Sequence, residues 1–209
     1  MIPDQISGVT QRSLEPAKSF VVELAEILLL ALGLYFVITF AIQTVHVIGY
    51  SMVPTLNDND YLLATKADLR FTRPNRGDIV ILKSPFDQSQ DYVKRVIALP
   101  GEQVRIIRAH IYINGHLLDE PYLDPHDPWV TQNNWPTAGS SDPSGVIPAD
   151  RYFVMGDNRN HSSDSRTFGP ISIDDIESRA WVRILPLDHF GLLPKRPTLE
   201  PGTSLPAAA

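Results

Sequence analysis

The chain has 209 residues, a formal net charge of −6 and no cysteine. The acidic balance argues against a nucleic-acid partner, and the lack of cysteine excludes disulfides and thiolate chemistry. The length allows one membrane helix plus one domain with its own core. The sequence motifs of a phosphate-binding loop, a dinucleotide-binding fold and a zinc protease are absent. We therefore expect no metal and no cofactor.

One long apolar segment lies near the N-terminus, and residues 27–46 contain no Asp, Glu, Lys or Arg. A helix from Phe20 to Ile42 is about 35 Å long, which is enough to cross a hydrocarbon core of about 30 Å. The alternative is a cleaved secretory signal, but residues 44–47 offer no small-x-small cleavage site. We expect an uncleaved transmembrane signal-anchor helix over residues 20–43.

Two cations, Arg12 and Lys18, precede this helix. By the positive-inside rule they favour a cytoplasmic N-terminus, formed by residues 1–19. The rest of the chain then lies on the outer, periplasmic or lumenal side of the membrane, in contact with the lipid bilayer. The sequence does not indicate an oligomeric state.

After the helix, short β-type segments alternate with turn residues. The predicted strands are 61–65, 78–82, 92–99, 104–107, 110–118, 151–155 and 180–185, with a hairpin turn at Asn114-Gly115, an exposed excursion over 124–148 and one helical turn over 173–177. The predicted fold class is mainly β. It is a coiled or barrel-like antiparallel sheet domain over residues 44–193, tethered by one N-terminal transmembrane helix. Residues 194–209 are rich in Pro and Ala and are expected to be disordered.

Ser51 is a candidate nucleophile that follows Ile42 by nine residues, or at most about 30 Å of extended chain. A serine needs a neighbour to take its proton, and we expect the six histidines to be solvated or satisfied rings. Among the five lysines, only Lys94 stands in a strongly apolar strand. Burying an ammonium costs several kcal/mol, so such a lysine is neutral, partnered or turned outward. The alternative is an edge-strand lysine that reaches water.

The segment Gly156–Arg166 carries many small hydrogen-bonding groups directly after a predicted strand. It is either an ordinary polar loop or part of the same site. Asp164 and Arg166 are placed to form a local ion pair that braces the loop. Arg95 projects to the face opposite Lys94 and is expected at the surface or in an ion pair.

Four sequence blocks, in this order, resemble the type I signal (leader) peptidases, which are membrane-anchored serine proteases with a Ser-Lys dyad. The blocks are GYSMVPTL at 49–56, RGDIV at 76–80, YVKRVIALPGE at 92–102 and GDNRNHSSDSR at 156–166. The resemblance runs from the anchor to about Leu193, and the family's inserted β-domain is reduced to about 104–150. It implies a serine endopeptidase that removes N-terminal signal peptides from exported pre-proteins after a small-x-small motif. It also implies a bacterial-type plasma membrane or a thylakoid membrane.

The resemblance implies that Ser51 is the nucleophile and that neutral Lys94 is the general base, acting through an acyl-enzyme. Ser162 matches the family's serine that hydrogen-bonds and orients the lysine. The other matched positions are the supporting pair Asp164 and Arg166, and Gly156 and Asp157 at the start of their block. The expected walls of the substrate pockets are Val45, Val47, Ile48, Tyr92 and Val93.

Position 49 departs from part of the family, in which a serine two residues before the nucleophile helps bind the oxyanion. Here that residue is Gly49, as in other branches, so the second oxyanion donor is not identified. One alternative function is another Ser-Lys protease, such as a self-cleaving repressor, against which the anchor and the acidic charge argue. A second alternative is a catalytically silent paralogue that acts as a membrane scaffold or holds substrate. Such a protein is expected to lack Ser51 or Lys94.

Overall fold

The computed structural model describes residues 16–66, 72–130, 134–137, 142–193 and 197–204. Contacts divide the chain into two units, residues 1–39 and 40–209, and each unit is described by itself. Most of the N-terminal segment expected to be cytoplasmic, residues 1–15, lies outside the described residues.

The first unit consists of most of helix α1, Pro16–Ala41. Its part from Phe20 to Ala41 has a mean hydropathy of 2.3 and no residue buried in the protein. Length and composition are therefore sufficient to span a membrane, and the predicted apolar helix is confirmed. It ends slightly earlier than expected, because strand β1 begins at Ile42.

The second unit is built mainly from strands. They are β1 Ile42–His46, β2 Tyr61–Thr65, β3 Ile79–Lys83, β4 Asp91–Ala98, β5 Val104–Ile107, β6 His110–Ile113, β7 His116–Asp119, β8 Arg151–Met155, β9 Ile171–Ser172, β10 Ile176–Leu185, β11 Gly191–Leu192 and β12 Thr198–Ser204. A one-turn helix, α2, spans Ser165–Phe168, and 3₁₀ turns span Ile173–Asp175 and Leu187–His189.

These strands form two antiparallel sheets. The larger has the order β1-β2-β10-β3-β4-β8-β9, with β11 also paired to β10, and the smaller has the order β12-β7-β6-β5. In the smaller sheet, Asn114 and Gly115 have φ angles of 52° and 84°, as the predicted type I′ turn requires. The expectation of a mainly β, antiparallel domain is confirmed.

Three apolar clusters hold the sheets together. Alternate residues of β3 enter two of them: Ile79 and Ile81 pack with Met52 and Leu56, while Val80 and Leu82 pack with Val96 and other residues. Because both faces of β3 are covered, the strand is apolar at successive positions. The third cluster lies under the smaller sheet, where Trp129 and Trp135 pack against it.

Two expectations about irregular regions differ from the structure. The excursion over 124–148 makes isolated bridges to the β5 region, at Gln103↔Val146 and Ile106↔Trp135, so it is partly bound to the smaller sheet. The expectation of a disordered tail is wrong for residues 198–204, which form β12 against β7. The open edge of β7 offers backbone hydrogen-bonding groups to any nearby extended segment, and tail composition alone does not reveal that edge. Residues 194–196 and 205–209 lie outside the described residues.

Candidate active site

The Ser51 segment is held between buried anchors. Val47 precedes the serine and Met52 follows it, with exposed fractions of 4% and 1%. The Leu56 N–H donates to the Met52 carbonyl at 2.9 Å, and the Gly49 N–H donates to the Asp58 carboxylate at 2.7 Å. Gly49 has a φ of 98°, a conformation that L side chains rarely adopt. These contacts fix the backbone on both sides of the Ser51 hydroxyl.

Lys94 lies on β4 with only 3% of its surface exposed. Its Nζ is 2.8 Å from Ser51 Oγ, within hydrogen-bonding distance. Burial lowers the pKa of Lys94 from 10.5 to about 8; Asp164 and Asp157 oppose this shift, and Arg166 adds to it. The alternative of an outward-facing lysine is therefore wrong. The structure places the two predicted reactive groups side by side, with the amine largely removed from water.

The Gly156–Arg166 loop is hydrogen-bonded to the backbone next to the Ser51 side chain. The Asn158 N–H donates to the Ser51 carbonyl at 3.0 Å, and the Asn158 side-chain amide donates to the Tyr50 carbonyl at 3.1 Å. A Cβ on Gly156 would collide with the Ser51 carbonyl oxygen and with the Ser162 side chain. Glycine at 156 is thus required by close approach.

Asp164 and Arg166 form the predicted ion pair at 2.7 Å, and that expectation is confirmed. Asp164 also caps α2 by accepting from the Arg166 backbone N–H, and it accepts from the Gly156 N–H at 3.1 Å. The Arg166 guanidinium donates to the Arg159 carbonyl at 2.8 Å. These bonds tie the two ends of the loop to its middle.

Asp157 pairs with Arg95, and neither side chain has any exposed surface. The Arg95 guanidinium donates to both Asp157 oxygens, at 2.8 and 2.6 Å, and to the Gly77 carbonyl at 3.0 Å. Arg95 is therefore a buried ion-pairing residue, and the alternative of a surface position is wrong. The pair joins β4 directly to the loop that contacts Ser51.

Ser162 lies against Gly156, and its hydroxyl oxygen is buried with no hydrogen-bond partner among the described residues. The bond to Lys94 that the resemblance implies is not formed in this structure. An unpaired buried hydroxyl is unusual.

A cleft of about 770 Å³ contains Ser51, Lys94 and all five expected pocket-wall residues. It runs between residues 43–52 and residues 89–94, and His161 and Ser163 also line it. The expected walls differ in exposure: Val47 belongs largely to the core, while Ile48 is 83% exposed. The backbone hydrogen bonds from Asn158 were not predicted, although that residue stands in the matched block.

Comparison with known proteins identifies the class of this protein. A family model of peptidases matches residues 21–185. Its description is "Signal peptidase, peptidase S26". The match covers well over half of the 209 residues. The chain therefore belongs to the signal peptidase family, peptidase S26, and it is a peptidase.

Two individual relatives, from Synechocystis and from Bacillus subtilis subsp. natto, agree with this assignment. A probable signal peptidase I-2 of Synechocystis is 36% identical over 79% of this chain and 72% of its own length. A signal peptidase I P of Bacillus subtilis subsp. natto is 37% identical over 87% of this chain and 98% of its own length. A solved structure of a signal peptidase I from Enterococcus faecalis is 34% identical and covers 52% of this chain and 97% of its own, with a TM-score of 0.44.

Proposed function

We propose that this peptidase removes N-terminal signal peptides from exported pre-proteins, with Ser51 as nucleophile and Lys94 as general base. The observation that carries the proposal is the 2.8 Å separation of Lys94 Nζ and Ser51 Oγ around an amine that is 3% exposed. A catalytically silent paralogue has no need of this pairing, so the contact favours an active enzyme over a scaffold.

Catalysis begins when the neutral Lys94 amine takes the Ser51 hydroxyl proton and Oγ bonds to the scissile carbonyl carbon. The C–N bond then breaks, and the Lys94 ammonium gives its proton to the leaving amine. An acyl-enzyme remains on Ser51. The same amine next removes a proton from water, the resulting hydroxide attacks the ester carbon, and the bond from that carbon to Ser51 Oγ breaks. The Lys94 ammonium returns its proton to Ser51 Oγ, so the signal peptide leaves as a carboxylic acid and the free enzyme is restored.

The tetrahedral intermediate requires donors for its oxyanion. The Ser51 backbone N–H donates to no acceptor within the described part of the chain, and it is the donor that we assign. The Gly49 N–H already donates to Asp58, and Gly49 has no hydroxyl to offer. Losing one such donor costs about 10²–10³ in rate, so a further donor completes this site when substrate binds.

We place the substrate as an added strand in the cleft. β4 pairs with β3 from Asp91 onward but with β8 only from Arg95 onward, so the other edge of residues 91–94 has no ladder partner among the described strands. An extended peptide that binds there gains main-chain hydrogen bonds. Small side chains at the first and third positions before the cut then enter shallow apolar pockets. The proposed pocket walls are Val45, Val47, Ile48, Tyr92 and Val93.

The remaining matched residues have supporting roles in this proposal. Asp164 and Arg166 hold the loop, Asp157 anchors it through Arg95, and Gly156 permits its close approach to Ser51. The unpaired Ser162 hydroxyl is the group available to orient the Lys94 amine once substrate excludes water. α1 anchors the enzyme in a plasma or thylakoid membrane with a cytoplasmic N-terminus, and the catalytic domain lies on the outer or lumenal side.

A cleavage assay tests this function directly. Detergent-solubilised protein is incubated with a pre-protein whose signal ends in Ala-x-Ala, and the new N-terminus is sequenced. We expect one cut, immediately after the second Ala, because larger side chains do not fit shallow pockets. A matched pre-protein with Leu at the first or third position before the cut is the control, and its cleavage at the wild-type rate would contradict the proposed specificity.

The dependence of rate on pH tests the role of Lys94. The reacting form is the neutral amine, and burial brings the pKa of Lys94 down to about 8, so about one tenth is neutral at pH 7. We expect kcat/KM to rise about tenfold per pH unit below pH 8 and to level off above it. A profile that does not change between pH 6 and pH 9 would contradict a lysine base. Lys83→Met, a change at the surface, is the control and should show the wild-type profile.

A further inference from the structure

A buried ion pair joins the Gly156–Arg166 loop, called the catalytic loop below, to a residue outside all four matched blocks. Glu120 follows β7 directly and pairs with Arg159, with side-chain exposures of 9% and 2%. The Arg159 guanidinium donates to both carboxylate oxygens, to one at 2.9 Å and to the other at 2.5 Å. Bidentate contacts of this kind fix orientation as well as distance.

Aromatic side chains from the same segment enclose this pair. The Tyr122 hydroxyl donates to Glu120 at 2.7 Å, and its ring lies 3.9 Å from the Arg95 guanidinium. The Trp129 ring lies 5.4 Å from the Arg159 guanidinium. The Glu120–Trp129 segment therefore covers two buried arginines whose charges need local partners.

Arg159 connects its ion pair with Glu120 to the segment that carries Ser51. Its Nε donates to the Gly156 carbonyl at 3.0 Å, and its own carbonyl accepts from Arg166 at 2.8 Å. Between these fixed points lies Asn158, whose N–H donates to the Ser51 carbonyl at 3.0 Å. The Glu120 carboxylate is thus connected to the Ser51 backbone by hydrogen bonds to and from Arg159 and by the short backbone stretch from Gly156 to Arg159 that carries Asn158.

We propose that Glu120 is a positioning residue, which holds the catalytic loop on the Ser51 backbone through Arg159 and so keeps Ser51 Oγ beside Lys94. The inference rests on the proposed function. Without the carboxylate, the Arg159 cation is buried and unpaired, so it moves toward water and pulls the loop with it. Misplacement of a reacting group by about 1 Å can reduce a rate by about 10².

The test is Glu120→Gln in the full chain, assayed in detergent against a pre-protein. Glutamine keeps the size of the side chain but removes its charge. We expect kcat to fall by about 10- to 100-fold while KM stays within about 3-fold. KM changes little because three of the five proposed pocket walls, Val45, Tyr92 and Val93, stand on β1 and β4, which are fixed by pairing with β2 and β3. Because a loss of folded protein also lowers the apparent kcat at unchanged KM, kcat is expressed per active enzyme, counted by covalent labelling of Ser51 with a serine-directed inhibitor.

Glu102→Gln is the matched control, because Glu102 forms another partly buried pair, with Arg76 at 2.5 Å. It should lower kcat by less than about 3-fold. The double variant Glu120→Gln/Arg159→Gln removes the unpaired charge and covers the case in which the single variant fails to fold. Because the two residues act together, its kcat should lie within about 3-fold of that of Glu120→Gln.

Hydrogen exchange provides a measurement independent of activity. The segment 156–164 should exchange faster in Glu120→Gln than in wild type, while β3 is unchanged. The positioning role is overturned if this exchange is unaltered, if kcat falls no further than in Glu102→Gln, or if the effect lies only in KM. A wild-type protein that cleaves no pre-protein overturns the proposed function, and the exchange data then still decide whether Glu120 holds the loop.

Discussion

Lys94→Met is expected to lower the rate of pre-protein cleavage by about 10³-fold or more. Methionine has nearly the length of lysine but no amine, so nothing remains 2.8 Å from Ser51 Oγ to accept its proton. The variant should still fold. An apolar side chain suits a position that is 3% exposed, and it removes the cost of burying an amine.

The measurement is kcat/KM at pH 8 to 9, together with denaturant unfolding of the same preparation. Lys83→Met is the control, since Lys83 bonds Asp91 and Glu177 at the surface; it should cleave as wild type does. If Lys94→Met retains a tenth or more of wild-type activity, Lys94 is not the base. If it is inactive and also unfolded, the test is a folded Lys94→Ala variant with an added small primary alkylamine: restored cleavage separates loss of the amine from loss of the fold.

Ser51→Ala should abolish cleavage, with a loss of at least about 10⁴-fold. The change removes the only atom that forms the covalent bond in the proposed mechanism. It touches little else, because the segment is fixed by Met52, by Leu56 and by backbone bonds from Asn158. The mutant should therefore unfold at close to the wild-type denaturant concentration.

Two further measurements make this result specific. A serine-directed inhibitor should add one covalent label to the wild type, located on the peptide that contains Ser51, and none to Ser51→Ala. Ser144→Ala changes an exposed serine that bonds Asp142 and serves as control, with label and activity retained. Labelling of another serine in Ser51→Ala, or residual turnover above background, would place the nucleophile elsewhere.

The sequence indicated the pair Ser51 and Lys94 mainly through the four blocks that resemble a family with a Ser-Lys dyad. Local context identified Lys94 as the lysine within an apolar strand, but it left open an edge-strand lysine that reaches water. The strands with strong β-type composition were also predictable. β1 was missed because its residues, IQTVH, extend the apolar run of the helix and show no break in pattern.

Long-range polar contacts could not be predicted in the same way. Glu120 and Arg159 are 39 residues apart, and Glu120 stands at the start of a stretch rich in Pro and Asp that carries no periodic signal. Arg95 left two possibilities open, because alternation along a strand gives the face of a side chain but not what covers that face. The bond between Ser162 and Lys94 is a third case. The resemblance implies it, but whether it forms depends on the side-chain rotamer of Ser162.

The position of β12 has a consequence for how the protein is made. β12 pairs with β7, yet Thr198 lies 79 residues after its neighbour Asp119. A ribosome therefore delivers β7 well before the segment that covers its outer edge. During that interval the nascent chain presents unsatisfied main-chain groups, which other emerging polypeptides can capture. Until β12 pairs with β7, this edge is therefore a point at which the unfinished chain is prone to aggregation.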